Sequence, residues 1–172
     1  MKADLHNHSY YSDGLLSPSE VVRLASKASC DLFSLTDHDT TDGIAEAKLE
    51  ADKVGLNLIN GVEISAFWRN MAIHIVGLGV DVNNDILQTG LEHNKDLRKI
   101  RAEKIALSLW RSGIKDALEK AQIISGGHML TRTHFAQMLI QEGYCKDMKS
   151  VFRRYLTGKK PGGVRVEWKD FD

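Results

Sequence analysis

The sequence predicts an α/β fold, part of a parallel β/α barrel interrupted by a helical insertion, and three observations carry the prediction. Short apolar stretches alternate with amphipathic ones through residues 1–83, the order of strand then helix that builds a parallel sheet or barrel. Residues 84–158 then show an almost unbroken helical periodicity, which reads as an inserted subdomain. Histidines and carboxylates punctuate the apolar stretches near their ends, where a barrel of parallel strands gathers its chemistry. Residues 159–172 begin the returning barrel segment, with a turn at Pro161-Gly162-Gly163 and a possible strand after it.

Four strands are expected, at residues 2–6, 31–36, 56–64 and 72–78. Between the first two, Ser17-Pro18-Ser19-Glu20 offers a capping hydroxyl, a proline at the first helical position and a glutamate at the third, so a helix starts at about Pro18. A second helix, over about 42–54, stops at Gly55, a residue suited to a left-handed cap. In the insertion, Leu87, Leu91, Leu97, Ile100, Ile105 and Leu109 recur along one broad face of a long helix. Shorter helices are expected near 116–124, 132–142 and 147–157, separated by glycines.

Composition limits the function classes. With 172 residues, 23 Lys plus Arg and 23 Asp plus Glu, the chain is formally neutral and offers no overall field for wrapping duplex DNA. No apolar run approaches the roughly 18 residues of a membrane span, and Met1-Lys2-Ala3-Asp4-Leu5-His6 lacks the apolar core of a signal peptide, so no membrane association and a cytoplasmic location are expected. Cys30 and Cys145 lie far apart in no paired spacing and read as reduced thiols. Trp68, Trp110 and Trp168 are read as packing residues in preference to base-stacking ones.

The ionisable residues of the strands point to metal. His6 and His8 stand two apart in extended chain, so their side chains face the same way, and Asp13 follows across a short loop. His38 comes just after the second strand, flanked by Asp37 and Asp39; Glu63 and His74 are the only ionisable residues of two further apolar strands. A His-x-His pair alone is weak, but six metal-competent side chains converging on one mouth are harder to explain one by one. Imidazoles with carboxylates and no thiolate suit Mn²⁺, Fe²⁺ or Zn²⁺ better than Ca²⁺ or an iron–sulfur centre. Six ligands exceed the needs of one ion, which makes Glu63 the natural bridge in a cluster of divalent metals. Asp37 and Asp39 are expected either to orient His38 or to serve in proton transfer, and Ser9, Ser12 and Ser65 are read as loop or cap residues.

These residues sit in a recognisable series. Asp4-Leu5-His6-Asn7-His8 with Ser12-Asp13-Gly14, then Thr36-Asp37-His38-Asp39-Thr40, Gly61-Val62-Glu63-Ile64-Ser65 and His74-Ile75-Val76-Gly77-Leu78 resemble the successive motifs of the polymerase and histidinol phosphatase (PHP) family. Arg98 with Arg101-Ala102, and Thr131-Arg132-Thr133-His134-Phe135, further resemble the subgroup of ribonuclease AM and the nucleoside 3′,5′-bisphosphate phosphatases. The resemblance implies a distorted, seven-stranded, TIM-like barrel with a trinuclear site, often of manganese. It implies that His6 and His8 hold one ion, Asp13 and His38 a second and His74 a third, with Glu63 bridging. The family pattern continues with further histidines, whereas none follows His134 here, so the chain is expected to be C-terminally truncated, to bind fewer than three ions and to associate through open barrel edges and through uncovered apolar faces of the strands 31–36 and 56–64.

Clustered divalent ions activate water and neutralise phosphoryl oxygens, so the expected activity is that of a metal-dependent phosphoesterase acting on phosphorylated nucleotides or 5′-phosphorylated short RNA. A small-metabolite phosphatase of the histidinol phosphatase type and a non-catalytic metal-binding fragment are the alternatives. Arginine forks match phosphate oxygens, which makes Arg98, Arg101, Arg132 and His134 the candidate substrate-binding residues. Lys146, Lys149, Arg153 and Arg154 form a basic stretch able to track an RNA backbone, although a solvated helix face is the plainer reading.

Overall fold

The computed structural model describes residues 1–69 and 71–170. Two compact units emerge: Met1–Lys95 with Trp168–Asp172, and Asp96–Glu167.

The first is a mixed α/β unit with a curled half-barrel sheet in the order β1-β2-β3-β4. Its strands are β1 (Ala3–Asn7), β2 (Leu32–Leu35), β3 (Asn57–Trp68) and β4 (Met71–Leu78). Helix α1 (Pro18–Lys27) follows β1 and α2 (Ile44–Val54) follows β2, and both β1–β2 and β2–β3 pair in parallel. The start of α1 is the expected capping box: the Ser17 hydroxyl accepts from the Glu20 amide and the Glu20 carboxylate accepts from the Ser17 amide. Gly55 ends α2 in the left-handed region, where its N–H donates to the Ala51 carbonyl. Val22 and Ala25 of α1 and Ala47 and Ala51 of α2 close over Phe33 and Leu35.

Two expectations about the sheet need correction. The fourth strand does not run with the others, because β3 continues four residues past Ile64 and β4 returns antiparallel to it, with Ser65 opposite His74. The apolar faces of the strands at 31–36 and 56–64, expected to lack cover, are covered: both are inner strands, and Phe33, Leu35 and Val62 are fully buried. The outer strands are β1 and β4. Over 159–168 no strand forms among the described residues, and Asp170 alone bridges to Phe67.

Helix α3 (Asp85–Arg111) spans the division between the units, and α4 (Ala117–Ile124), α5 (Arg132–Gln141) and α6 (Met148–Val151) belong to the second. The buried stripe of α3 is the apolar one expected only in part: Leu91, Ile105 and Leu109 are buried, but polar residues share the face. Ile100 is exposed, while Leu91, Asn94, Arg98, Arg101, Ala102, Ile105 and Leu109 are buried, so a hydrophobicity count misses a face that carries an amide and two guanidinium groups in its middle. The helix expected over 147–157 divides into α6 and a π-helical turn, Phe152–Leu156. The spacing explains it: Val151 and Leu156, both fully buried, stand five residues apart, which suits a π turn and not an α-helical one. Trp168 is buried as expected, but Trp68 and Trp110 are exposed. Both cysteines are free, Cys145 buried and Cys30 partly so, and no helix among the described residues is long and apolar enough to cross a membrane.

Candidate metal centre

Backbone pairing beyond the end of β2 builds the site. The Glu63 amide donates to the Asp37 carbonyl at 3.1 Å and the Asp39 amide to the Glu63 carbonyl at 2.9 Å, which sets His38 directly beside Glu63 in a parallel bridge. Asp39 takes a positive φ of 49° there, a conformation that aspartate tolerates better than most residues. On the other side, Glu63 lies two residues from Ser65, the partner of His74, so Glu63 and His74 are diagonal neighbours on one sheet face. The hairpin therefore delivers His74 from the body of an antiparallel strand. Two glycines permit close approach. A side chain at Gly61 would strike Ser34 Oγ at 2.2 Å, and one at Gly14 would strike the His8 carbonyl oxygen at 2.3 Å. Gly14 also donates to the Ser9 carbonyl at 2.9 Å, folding the loop so that Asp13 returns to the histidines.

Glu63 is enclosed by four imidazoles. Its Oε2 lies 3.1 Å from His6 Nε2, 3.1 Å from His8 Nε2 and 3.2 Å from His38 Nδ1, and its Oε1 lies 3.2 Å from His74 Nδ1. Asp13 stands 3.6 Å from His8 Nδ1 and 3.9 Å from His38 Nε2. Three overlapping triads result, His6–His8–Glu63, His8–Asp13–His38 and His38–Glu63–His74, each with ligand atoms within 4.8 Å of one another. Two ligand atoms about 2.1 Å from a shared ion in tetrahedral or octahedral geometry lie roughly 3.0–3.4 Å apart. The Glu63 contacts fall in that interval, and the donor set fits divalent transition metals.

Electrostatics lean the same way. Burial pushes the Glu63 carboxyl toward its neutral form, but hydrogen bonds from His74 and His8, the charge of His38 and a hydrogen bond from His6 outweigh it and hold the group far below the ordinary carboxylate range. Burial likewise lowers the His8 pKa, yet its bond to Glu63 and the charges of Asp13, Glu63 and Asp37 leave it raised. A divalent cation satisfies the same carboxylates without requiring protons on the rings.

Asp37 and Asp39 take up positions behind the histidines. Asp37 accepts from the Ser9 amide at 2.7 Å, the Ser9 hydroxyl at 2.6 Å and the Ser12 hydroxyl at 2.6 Å. Burial raises its pKa, against the lowering effect of these bonds. Asp39 accepts from the Ser65 amide and hydroxyl, each at 2.7 Å, and from the Asn94 side-chain amide at 2.8 Å. Each carboxylate thus ties its loop to another element, the loop after β1 in one case and β3 with α3 in the other. Sequence reasoning had treated the three serines separately from the aspartates and had not singled out Asn94 at all. The available signal was a hydroxyl within two residues of a ligand in three motifs, Ser9 and Ser12 beside His8 and Asp13, and Ser65 beside Glu63.

The remaining candidates lie in the helical unit. Arg98 and Arg101 are buried, and burial together with the charge of Arg98 lowers the pKa of Arg132, so these two guanidinium groups are electrostatic neighbours. His134 is the third residue of α5, where its Nδ1 accepts from the Thr131 amide at 3.1 Å; a neutral ring then carries its proton on Nε2.

Residues 4–170 match the PHP domain. The chain is similar to the 3′,5′-nucleoside bisphosphate phosphatase of Chromobacterium violaceum, 42% identical over 170 residues that cover 98% of this chain and 60% of that protein. It is also 42% identical over 167 residues to the 5′-3′ exoribonuclease Rnm of Escherichia coli, with 96% and 57% covered. Among solved structures, an amidohydrolase from Chromobacterium violaceum with bound sulfate and no metal aligns with a TM-score of 0.94 at 42% identity, covering 99% of this chain and 60% of that one. The chain spans about 60% of the length of these relatives.

Proposed function

Since the chain belongs to the PHP domain family, we propose that it forms part of a metal-dependent phosphoesterase whose substrates are nucleoside 3′,5′-bisphosphates or 5′-phosphorylated short RNA. The observation that carries this reading is the Glu63 carboxylate set among four imidazoles at 3.1–3.2 Å. His6, His8, Asp13, His38, Glu63 and His74 would hold the divalent ions, with Mn²⁺ preferred ahead of Fe²⁺ or Zn²⁺. Ions held there supply Lewis acidity, which favours ionisation of water near neutral pH and offsets the charge of a phosphoryl group.

The protein's own residues do the rest. Glu63, set among the imidazoles that hold its carboxyl below the ordinary range, offers its ionised carboxylate as the central ligand. Asp37 and Asp39 fix the loops that carry His8, Asp13 and His38, which keeps the ligands preorganised. Arg98, Arg101 and Arg132 offer guanidinium forks to phosphate oxygens, and the His134 imidazole offers a second donor type. The helical unit serves as the substrate-binding insertion. Support for the substrate class comes from the names of the two relatives, a bisphosphate phosphatase and an exoribonuclease.

The test has two arms. Calorimetric titration of chelator-treated protein with Mn²⁺ should give saturable binding, and an absence of binding overturns the metal assignment. With Mn²⁺ present, turnover of a nucleoside 3′,5′-bisphosphate and of a 5′-phosphorylated oligoribonucleotide should exceed that of histidinol phosphate; the reverse order moves the chain to the metabolite phosphatases.

A further inference from the structure

The helical unit carries a second cationic feature, separate from the buried arginines. Lys146 stands just ahead of the N-cap Asp147, Lys149 lies in α6, and Arg153 and Arg154 lie in the π turn, so four cations are gathered in one short segment. All four are exposed, and none forms an ion pair among the described residues. The π turn produces this display: Val151 and Leu156 are held in the core five residues apart, and the chain between them turns Arg153 and Arg154 outward together.

Aromatic rings are interleaved with these cations. Tyr144, 37% exposed, meets Tyr155 edge to face with ring centroids 6.3 Å apart. The Arg154 guanidinium lies 5.6 Å from the centroid of Tyr155, and that of Arg132 lies 6.0 Å from the centroid of Phe152. Unpaired cations beside flat, partly exposed faces are the chemistry of single-stranded nucleic acid, in which phosphates meet the cations and unstacked bases meet the rings and guanidinium planes. An acidic peptide would use the cations and leave the rings without a role. A duplex needs a wider field than a formally neutral chain supplies, since the four cations are confined to the segment 146–154.

We propose that Tyr144, Lys146, Lys149, Arg153 and Arg154 form a platform that holds the backbone and bases of a short single-stranded RNA. This deepens the reading of the chain as a phosphoesterase of RNA and rests on it. It assigns affinity for the strand to a surface that a mononucleotide does not use.

Binding is measured by fluorescence anisotropy of a labelled oligouridylate of about twelve nucleotides, within the range of single-strand site sizes, on the 172-residue chain in the presence of chelator. Four phosphate contacts predict a slope of log affinity against log salt of about −3. The double charge reversal Lys149→Glu with Arg153→Glu should weaken binding about tenfold or more, and Tyr144→Ala about tenfold, with unchanged thermal midpoints. Unchanged affinity in the double variant overturns the platform, and so does competition by polyglutamate as effective as competition by unlabelled oligouridylate. Hydrolysis of a nucleoside 3′,5′-bisphosphate separates the two levels. The variants should match the parent in that assay, and a parent that binds RNA yet neither binds Mn²⁺ nor hydrolyses a phosphate ester would sink the phosphoesterase reading while leaving the platform in place.

Discussion

In the sheet unit the buried charges are carboxylates, Asp37, Asp39, Glu50 and Glu63, whereas in the helical unit they are the guanidinium groups of Arg98 and Arg101, accompanied by His134. The chain as a whole is formally neutral, so the balance is a sum of two opposite local choices. Taking an ion out of water costs several kcal/mol, and a fold keeps such groups where a partner answers them. Glu50 shows the ordinary solution: Arg23 and Lys53 meet it at 2.7 and 3.0 Å and hold its pKa low. Glu63 has only imidazoles, which are neutral over much of the physiological range, and its natural complement is a cation from solution.

The largest expected effect comes from removing the central carboxylate. Glu63→Gln keeps the shape but takes away the charge that every triad except His8–Asp13–His38 shares. Loss of an outer partner of a ligand costs roughly tenfold to a hundredfold in metal affinity, so a ligand common to two triads should cost at least about a hundredfold for Mn²⁺ by calorimetry. Saturating Mn²⁺ should also raise the melting temperature of the parent protein, by linkage of binding to folding, and leave that of the variant nearly unmoved. Equal affinity in the two proteins would remove Glu63 from the ligand set.

Next in size is Arg132→Ala, which probes the opposite sign. Burial and then the charge of Arg98 both depress the Arg132 pKa, so the free protein holds this cation at a cost. Deleting it should leave the melting temperature unchanged or slightly higher, while the KM for a nucleoside bisphosphate rises roughly tenfold with little change in kcat, as expected for a contact made equally in ground and transition states. Stabilisation by millimolar inorganic phosphate should disappear with it. A variant that is less stable and no weaker in KM would make Arg132 a structural residue.

The contrast between the units also tracks what could be read from the chain. His6, His8, Asp13, His38, Glu63 and His74 were nameable because an ionisable side chain is conspicuous in or just after an apolar strand, and its identity limits its chemistry. The direction of β4 was not, since alternation with a period of two is the same for parallel and antiparallel strands. The clue lay in Phe67-Trp68 and Met71-Ala72, which extend both apolar runs to within two residues of each other, the spacing of a tight hairpin. Helix α3 shows the limit of periodicity: its buried stripe contains Asn94, Arg98 and Arg101, and a pattern search for apolar residues selects Ile100 instead. The partners of Asp37 and Asp39 come from β1, β3 and α3, and only the folded chain assembles them.

Asn94 supplies a third, intermediate test, one of architecture. Its side-chain amide donates to Asp39 Oδ1 and to the Ser65 carbonyl, both at 2.8 Å, in a buried position. Asn94→Ala strips a donor from an ionised acceptor and leaves two buried oxygens short of a partner, which should cost about 1–3 kcal/mol in a denaturant titration. Because Asp39 is next to His38, Mn²⁺ affinity should fall as well, by less than in Glu63→Gln. A full loss of stability with intact metal affinity would show that the loop after β2 is held by its bridge to Glu63 alone.

The smallest expected effect is also the finest probe of sign. Asp147 is the N-cap of α6, where its carboxylate accepts from the Ser150 amide at 2.8 Å, and that bond, helped by the Ser150 side chain and the charges of Arg153 and Lys146, lowers its pKa against the opposing effect of desolvation. A carboxyl depressed in the folded state stabilises it at neutral pH and loses that contribution as pH falls through the folded pKa, so the acid side of the stability profile should shift slightly in Asp147→Asn. Asparagine caps a helix about as well as aspartate, and stability at neutral pH should therefore barely change. What the substitution does remove is a negative charge that acts on Lys146 and Arg153. If those cations hold RNA phosphates, affinity for oligouridylate should rise about twofold at low salt and the gain should vanish as salt screens the exposed charges. A fall in affinity would mean that the carboxylate orders the platform through the helix cap, and the cations would then matter by their placement more than by their net field.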